Sequence, residues 1–202
     1  VTEETLLSFY IDNHETLGLN KYYIAIFNIN GAHGLVYHDL IKLLKIPTIV
    51  ITDLDIKRTD DEKINFTPIN SLDARTTTNA TIQKYKGSDD ISNITDHYED
   101  ENLYITYQSE AVEEYYATSL EEAFILQNHD NNILNNAIKE VKPKIYEEIV
   151  GNPETRKNLV DNSYKLQNKL SKSKSDFANW LLYYLSIEDD KEKFKYIHIL
   201  NK

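Results

Sequence analysis

The stretch that most restricts the fold is IPTIVITDLD, residues 46–55, an apolar β-branched run ending on two aspartates with one residue between them. A continuous run of this kind fits a strand buried on both faces, as in a parallel sheet. Side chains alternate along a strand, so Asp53 and Asp55 are expected on one face at its C-terminal end. Open α/β sheets hold their ligands at that end. Two carboxylates about 4 Å apart repel by about 4 kcal/mol at an effective dielectric of about 20. A divalent cation is the ordinary compensation. With no cysteine in the chain, oxygen-only ligands favour Mg²⁺ or Mn²⁺ over zinc.

The flanking pattern makes this run part of a βαβ unit. KYYIAIFNING reads as a strand over 23–29 closed by Asn30-Gly31. GLVYHDLIKLLK carries a helical stripe at Leu35, Val36, Leu40, Leu43 and Leu44, and Pro47 ends it. Strand, helix and strand within about 30 residues imply a parallel sheet. TEETLLSFYIDN reads as a preceding helix. Residues 57–70 read as irregular, DARTTTNATIQKYKG as a helix stopping at Gly87, 88–102 as an acidic loop, and 103–107 as a third strand. TSLEEAFILQN has a Thr/Ser cap ahead of glutamates and an apolar run, a helix start. From Asp130 to Leu170 the pattern is helical and polar, broken at Pro143 and Gly151–Pro153. SKSDFANWLLYYL reads as a last amphipathic helix and FKYIHIL as a closing strand or extended segment. The expected class is α/β, a Rossmann-like parallel sheet flanked by helices with a C-terminal helical lobe. The expected division is a catalytic core over 1–128, a helical insertion over 129–170, and a helix and tail over 171–202 that return to the core.

Hydrophobic residues make up 41% of the 202, enough for a real core. A net charge of −11 argues against charge-driven coating of nucleic acid. It is compatible with an enzyme that touches DNA locally while gathering carboxylates around metal ions. No apolar run approaches the roughly 18–20 residues of a membrane helix, the N-terminus is polar and acidic rather than signal-like, and the lack of cysteine suits a reducing cytoplasm. No membrane partner is expected, and the expected localisation is cytoplasmic.

The points that carry chemistry are Glu3, Asp53 with Asp55, Glu121 with Glu122, and Lys174. Taken in order, TEETLL, FNINGAHGLVYHDLIKLLKIPTIVITDLD, DARTTTNATI, YITYQ, TSLEEAFI and SKSDFA resemble the TOPRIM nuclease module of OLD-family (overcoming lysogenization defect) proteins. The resemblance is strongest to the nuclease subunit of the Gabija anti-phage system, and it spans most of the chain. It implies that Asp53 and Asp55 are the D-x-D metal ligands, that Glu121 and Glu122 are the family's acidic helix-start site, and that Lys174 is the active-site lysine of its K-x-x-F-A stretch. The family's first motif is E-G-x-x-E. With VTE as its x-x-E, Glu3 is the second glutamate and the E-G is expected upstream of Val1. The implied activity is metal-dependent endonucleolytic hydrolysis of double-stranded DNA with two Mg²⁺ or Mn²⁺ ions. The implied partners are an N-terminal ATPase domain in the full-length protein, a helicase-like subunit and further copies of the same chain. No G-x-x-x-x-G-K-[ST] phosphate loop occurs within these residues.

The residues alone leave other readings open. A Glu-Glu pair on a helix is more often a solvated face. Arg75 with Thr76–Asn79 could meet a phosphate at a helix N-terminus, or N-capping alone could explain the threonines. Lys165, Lys169, Lys172 and Lys174 could be a solvated helix end, or a local DNA contact in which Lys172 touches backbone and Lys174 the chemistry. The six histidines show no metal-binding spacing, and no nucleophilic tyrosine stands out among fifteen. A TOPRIM primase or topoisomerase ranks last, because zinc-binding cysteines and a placeable tyrosine are both lacking. The alternative to a nuclease is a catalytically silent TOPRIM-like scaffold or sensor that mediates assembly.

Overall fold

The computed structural model describes residues 2–13, 18–29, 33–151, 157–188 and 194–195. The helices are α1 (Thr2–Asn13), α2 (His38–Leu44), α3 (Asp60–Ile64), α4 (Ala80–Lys86), α5 (Leu120–Gln127), α6 (Asn132–Val141), α7 (Pro143–Val150), α8 (Lys157–Asp161), α9 (Ser163–Leu170) and α10 (Lys174–Ile187). The strands are β1 (Thr48–Ile51), β2 (His97–Asp100) and β3 (Leu103–Thr106), in the sheet order β1-β3-β2. The fold is mixed α/β, a small sheet flanked by helices, as expected for a TOPRIM-like domain.

The parallel element is present. β1 runs parallel to β3, with Val50 opposite Ile105. The helix before β1 packs tightly enough that a side chain at Gly34 would put its Cβ 2.8 Å from Val50 Cγ1. Three expectations are corrected. Residues 57–70, expected to be irregular, contain the short helix α3, opened by a capping box between Thr59 and Glu62. The acidic stretch expected to be a loop over 88–102 contains β2, which pairs antiparallel with β3 across the Glu101-Asn102 turn and makes the sheet mixed. Residues 23–29, expected to be a strand, form none. They have the β-branched and aromatic composition of one, but a strand needs a paired neighbour, and Tyr23 is 98% exposed. Among the described residues β1 therefore has one open edge, with Ile49 68% exposed.

The helical expectations are met at α1, α5 and α10. Ser119 caps α5 by accepting the Glu122 amide, and Gly87 ends α4 at φ 73°. Pro143 opens α7. The closing FKYIHIL segment lies almost wholly outside the described residues.

Two buried clusters organise the described residues. One gathers around the sheet: Leu54, Ile56, Ile69, Ile91, Leu103 and Ile105. The other is helical and joins Leu6 of α1 and Phe124 of α5 to Leu134, Leu166 and Phe177. Thus α1 and α5 pack with the helices that follow them, and α10 lies against both α1 and α6.

Candidate functional site

The C-terminal end of β1 meets the first turn of α5 where the two clusters touch. β1 stops at Ile51, although Thr52 still donates its amide to Thr106 O at 3.1 Å. Asp53 Oδ1 then accepts the Leu120 amide at 2.9 Å, so its carboxylate sits against the positive end of α5. Asp55 takes a left-handed backbone, φ 48°, which Asp tolerates better than most residues. Its amide donates to Thr118 O at 3.0 Å. Strand alternation is therefore not what brings the aspartates together. The chain leaves the strand and turns, and the residues before α5 hold both.

Asn79, fully buried, supports the same turn from the other side. Its Oδ1 caps α4 through the amides of Thr81 and Ile82. Its Nδ2 donates to Thr52 Oγ1 and Asp53 O at 2.8 Å each and lies 3.2 Å from Asp55 Oδ2.

Glu121 and Lys174 complete the cluster. Lys174 Nζ lies 2.9 Å from Glu121 Oε1, and the glutamate side chain is only 1% exposed. The contact is close but poorly aligned, and neither buried Glu121 oxygen accepts a hydrogen bond of good geometry. Burial pushes the Asp53 carboxyl up to about 7, helped by Asp55, Glu121 and Glu3 and opposed by the Leu120 amide. Burial also raises Asp55, against the Asn79 hydrogen bond and the Lys174 charge. For Lys174, burial disfavours the charge, but the bond to Glu121 and the fields of Glu3 and Asp53 outweigh it and leave the ammonium raised. These couplings join Glu3, Asp53, Asp55, Glu121 and Lys174 in one field. Asp53, Asp55 and Glu121 offer oxygen donors of the kind a hard cation takes, and a cation there would compete with Lys174 for the buried Glu121 carboxylate. Among the described residues no three such side chains already form a ready-made cage.

The family described as "Overcoming lysogenization defect protein-like, TOPRIM domain" matches residues 1–55, which carry Glu3 and both aspartates. The chain is also 54% identical over 193 residues to "Endonuclease GajA" of Bacillus cereus (strain HuB5-5), a match over 94% of this chain. The chain is thus similar to OLD-like TOPRIM proteins of the Gabija type. It spans 27% of the length of that Bacillus relative. No solved structure matches it.

The remaining candidates make other contacts. Glu122 turns away from the aspartates. Its Oε1 lies 3.4 Å from Arg58 Nη2, and its Oε2 accepts the Thr118 amide at 2.7 Å. Ser163 Oγ donates to it at 3.3 Å. Burial raises its carboxyl against these bonds. Arg75 does not face the N-terminus of α4; it forks onto Glu62 at 2.5 and 2.9 Å and holds that carboxyl down at about 2. Lys172 is exposed, just before α10. Asn79 and Arg58 carry structural duties at the site that the sequence reading did not assign. A signal for Arg58 existed: the chain has three arginines against nineteen lysines, so each arginine is a candidate for a place where only a planar fork fits.

Proposed function

We propose that this chain is the nuclease module of an OLD/Gabija-type anti-phage defence protein, hydrolysing phosphodiester bonds of double-stranded DNA with Mg²⁺ or Mn²⁺. The observation that carries this reading is the common field of Asp53, Asp55, Glu121 and Lys174 at the C-terminal end of β1. The relative's name, an endonuclease, supports it. Asp53, Asp55 and Glu121 would hold the cation, with Glu3 beside them. When bound, divalent ions make a water nucleophilic and stabilise the leaving oxygen. In the hydrolysis a water oxygen bonds to phosphorus, one P–O bond to a sugar breaks, and the departing oxygen takes up a proton. Glu3, beside these cation-holding carboxylates, would take the proton that the attacking water loses. Lys174 puts its ammonium on the charge that grows in the transition state. Lys172, exposed just before α10, would meet the DNA backbone. Glu122 and Arg75 serve as scaffold in this reading. The whole protein would join this module to an N-terminal ATPase domain, self-assemble, and work with a helicase-like subunit in the cytoplasm. No helix among the described residues is long and apolar enough to cross a membrane.

A second reading has its own observation. The Lys174–Glu121 ion pair already neutralises the buried glutamate, as it would in a silent TOPRIM scaffold that needs no metal. Calorimetric titration of Mn²⁺ separates the two, together with cleavage of a duplex by the full-length protein. The nuclease reading expects saturable binding that weakens strongly in Asp53→Ala, and cleavage that stops. Equal heats from parent and variant, with duplex left intact by both, would establish the scaffold.

A further inference from the structure

Arg58 lies three residues past Asp55, is 5% exposed, and touches neither aspartate in any hydrogen bond. Its guanidinium instead ties together four separated pieces of chain. Nη1 donates to Thr67 O, and Nη2 donates to Thr118 Oγ1 at 3.1 Å and meets Glu122 Oε1 at 3.4 Å. Its carbon sits 3.6 Å above the centre of the Tyr164 ring on α9. Glu122, held by Arg58, in turn grips the Thr118 amide.

The residues so gripped are those that aim the acidic cluster. Thr118 O holds the Asp55 amide, the Leu120 amide holds the Asp53 carboxylate, and the next residue is Glu121. One short turn, 118–120, thus connects all three acidic side chains, and Arg58 is the cation that fixes it from behind. Its stacking on Tyr164 and the Ser163 bond to Glu122 also tie that turn to the helical cluster.

We propose that Arg58 is a positioning residue for the acidic site, locking the 118–120 turn from which Asp53, Asp55 and Glu121 take their orientation. The proposal deepens the nuclease reading and rests on it for its metal-binding consequence. Partners one step behind metal ligands typically change affinity by roughly 10–100-fold when altered. A lysine could keep the charge at position 58, but it has neither the planar fork nor the flat face that stacks on Tyr164.

The test compares the full-length parent with Arg58→Lys, the double variant Arg58→Met/Glu122→Gln, and Asp53→Ala. The double variant removes both buried charges together, which avoids stranding Glu122. Two quantities are read: Mn²⁺ affinity by calorimetry, and hydrogen exchange at the Leu120 amide relative to the Leu126 amide of the same helix. The expected result is Mn²⁺ binding roughly 10–100-fold weaker in Arg58→Lys and in the double variant, with the Leu120 amide selectively faster. General destabilisation would speed both amides alike, and that outcome overturns the proposal. Parent-like Mn²⁺ binding and parent-like Leu120 exchange in Arg58→Lys also overturn it. If the parent binds no Mn²⁺, or Asp53→Ala binds as well as the parent, the metal reading fails. The selective exchange at Leu120 then decides the positioning role alone.

Discussion

The two buried clusters differ in how they are closed. The helical cluster is sealed by several elements, with Phe124, Leu134, Leu166 and Phe177 wholly inside. The sheet cluster is smaller, and among the described residues its parent strand β1 has an open edge lined by Ile49. The acidic cluster belongs to neither. Asp53 and Asp55 come from the sheet side, and Glu3, Glu121 and Lys174 from helices α1, α5 and α10 packed in the other cluster. A site drawn from both sides has its geometry set by their docking. That explains why so much polar chemistry lies between them: the Asp53–Leu120 and Asp55–Thr118 bonds, and the buried Arg58–Glu122 pair.

The sharpest way to break this comparison is to hollow each cluster in turn. Phe177→Ala in α10 should cost about 3–5 kcal/mol, and Leu54→Ala on the sheet side about 2–5 kcal/mol. Native-state hydrogen exchange should show Phe177→Ala loosening α6 and α10 more than β3, and Leu54→Ala the reverse. Equal loss of protection across both in either variant would mean that the clusters form one cooperative unit.

Lys174 tests whether the helical side supplies chemistry or only support. Lys174→Ala in the full-length protein should fold, bind Mn²⁺ and keep much of its affinity for DNA. Its cleavage rate should fall by about 10²–10³, equivalent to about 2.7–4 kcal/mol of transition-state stabilisation. Lys172→Ala should mainly weaken DNA binding, and more so at higher salt. Wild-type-like cleavage by both variants would reduce α10 to a prop for the sheet side.

Sequence reading reached the parts of this arrangement that depend on local chemistry. The cap at Ser119, the stop at Gly87 and the amphipathic α10 each rest on neighbours in the chain. It also placed Asp53 and Asp55 at a strand's C-terminal end, although the strand stops at Ile51 and both lie past it. Choices made by distant residues were out of reach. Glu121 and Glu122 are adjacent and point about 100° apart on a helix. Which of them faces the aspartates depends on Arg58, 64 positions before Glu122. The polar run HYED gives no alternating signal, yet pairs as β2 because β3 is beside it. Residues 23–29 have strand composition and no partner. Arg75 looked like an exposed phosphate contact because nothing nearby in sequence announces Glu62.

The pH response should follow from the seam. Asp53 holds its proton up to about 7 in the folded chain, against 3.8 as its ordinary value. The folded state therefore binds this proton more tightly than the unfolded one. Its contribution to stability is full below about pH 4 and is lost as pH rises through about 7. Without divalent ions, parent minus Asp53→Asn should show stability falling over that window in thermal unfolding curves. Saturating Mg²⁺ should flatten or reverse the slope, since a cation favours the carboxylate. A difference curve that is flat with and without Mg²⁺ would mean that Asp53 is not held in this field.

The smallest expected effect concerns the open edge. β1 donates from Thr48 and Thr52 towards β3, with Asn102 O and Thr106 O as acceptors. By alternation, the backbone groups of Ile49 and Ile51 point away, towards the side that is unpaired among the described residues. An apolar edge strand with free backbone groups is a template for pairing with another chain. The closed helical cluster offers no such edge. Ile49→Lys should leave the stability of the isolated chain within about 0.5 kcal/mol, as for most exposed positions, because the isoleucine side chain buries little. It should reduce self-association, seen as a lower weight-average mass in sedimentation at matched concentration. If Ile49→Lys instead unfolds the chain, the β1 edge is covered in solution, and the contrast between an open sheet side and a closed helical side disappears.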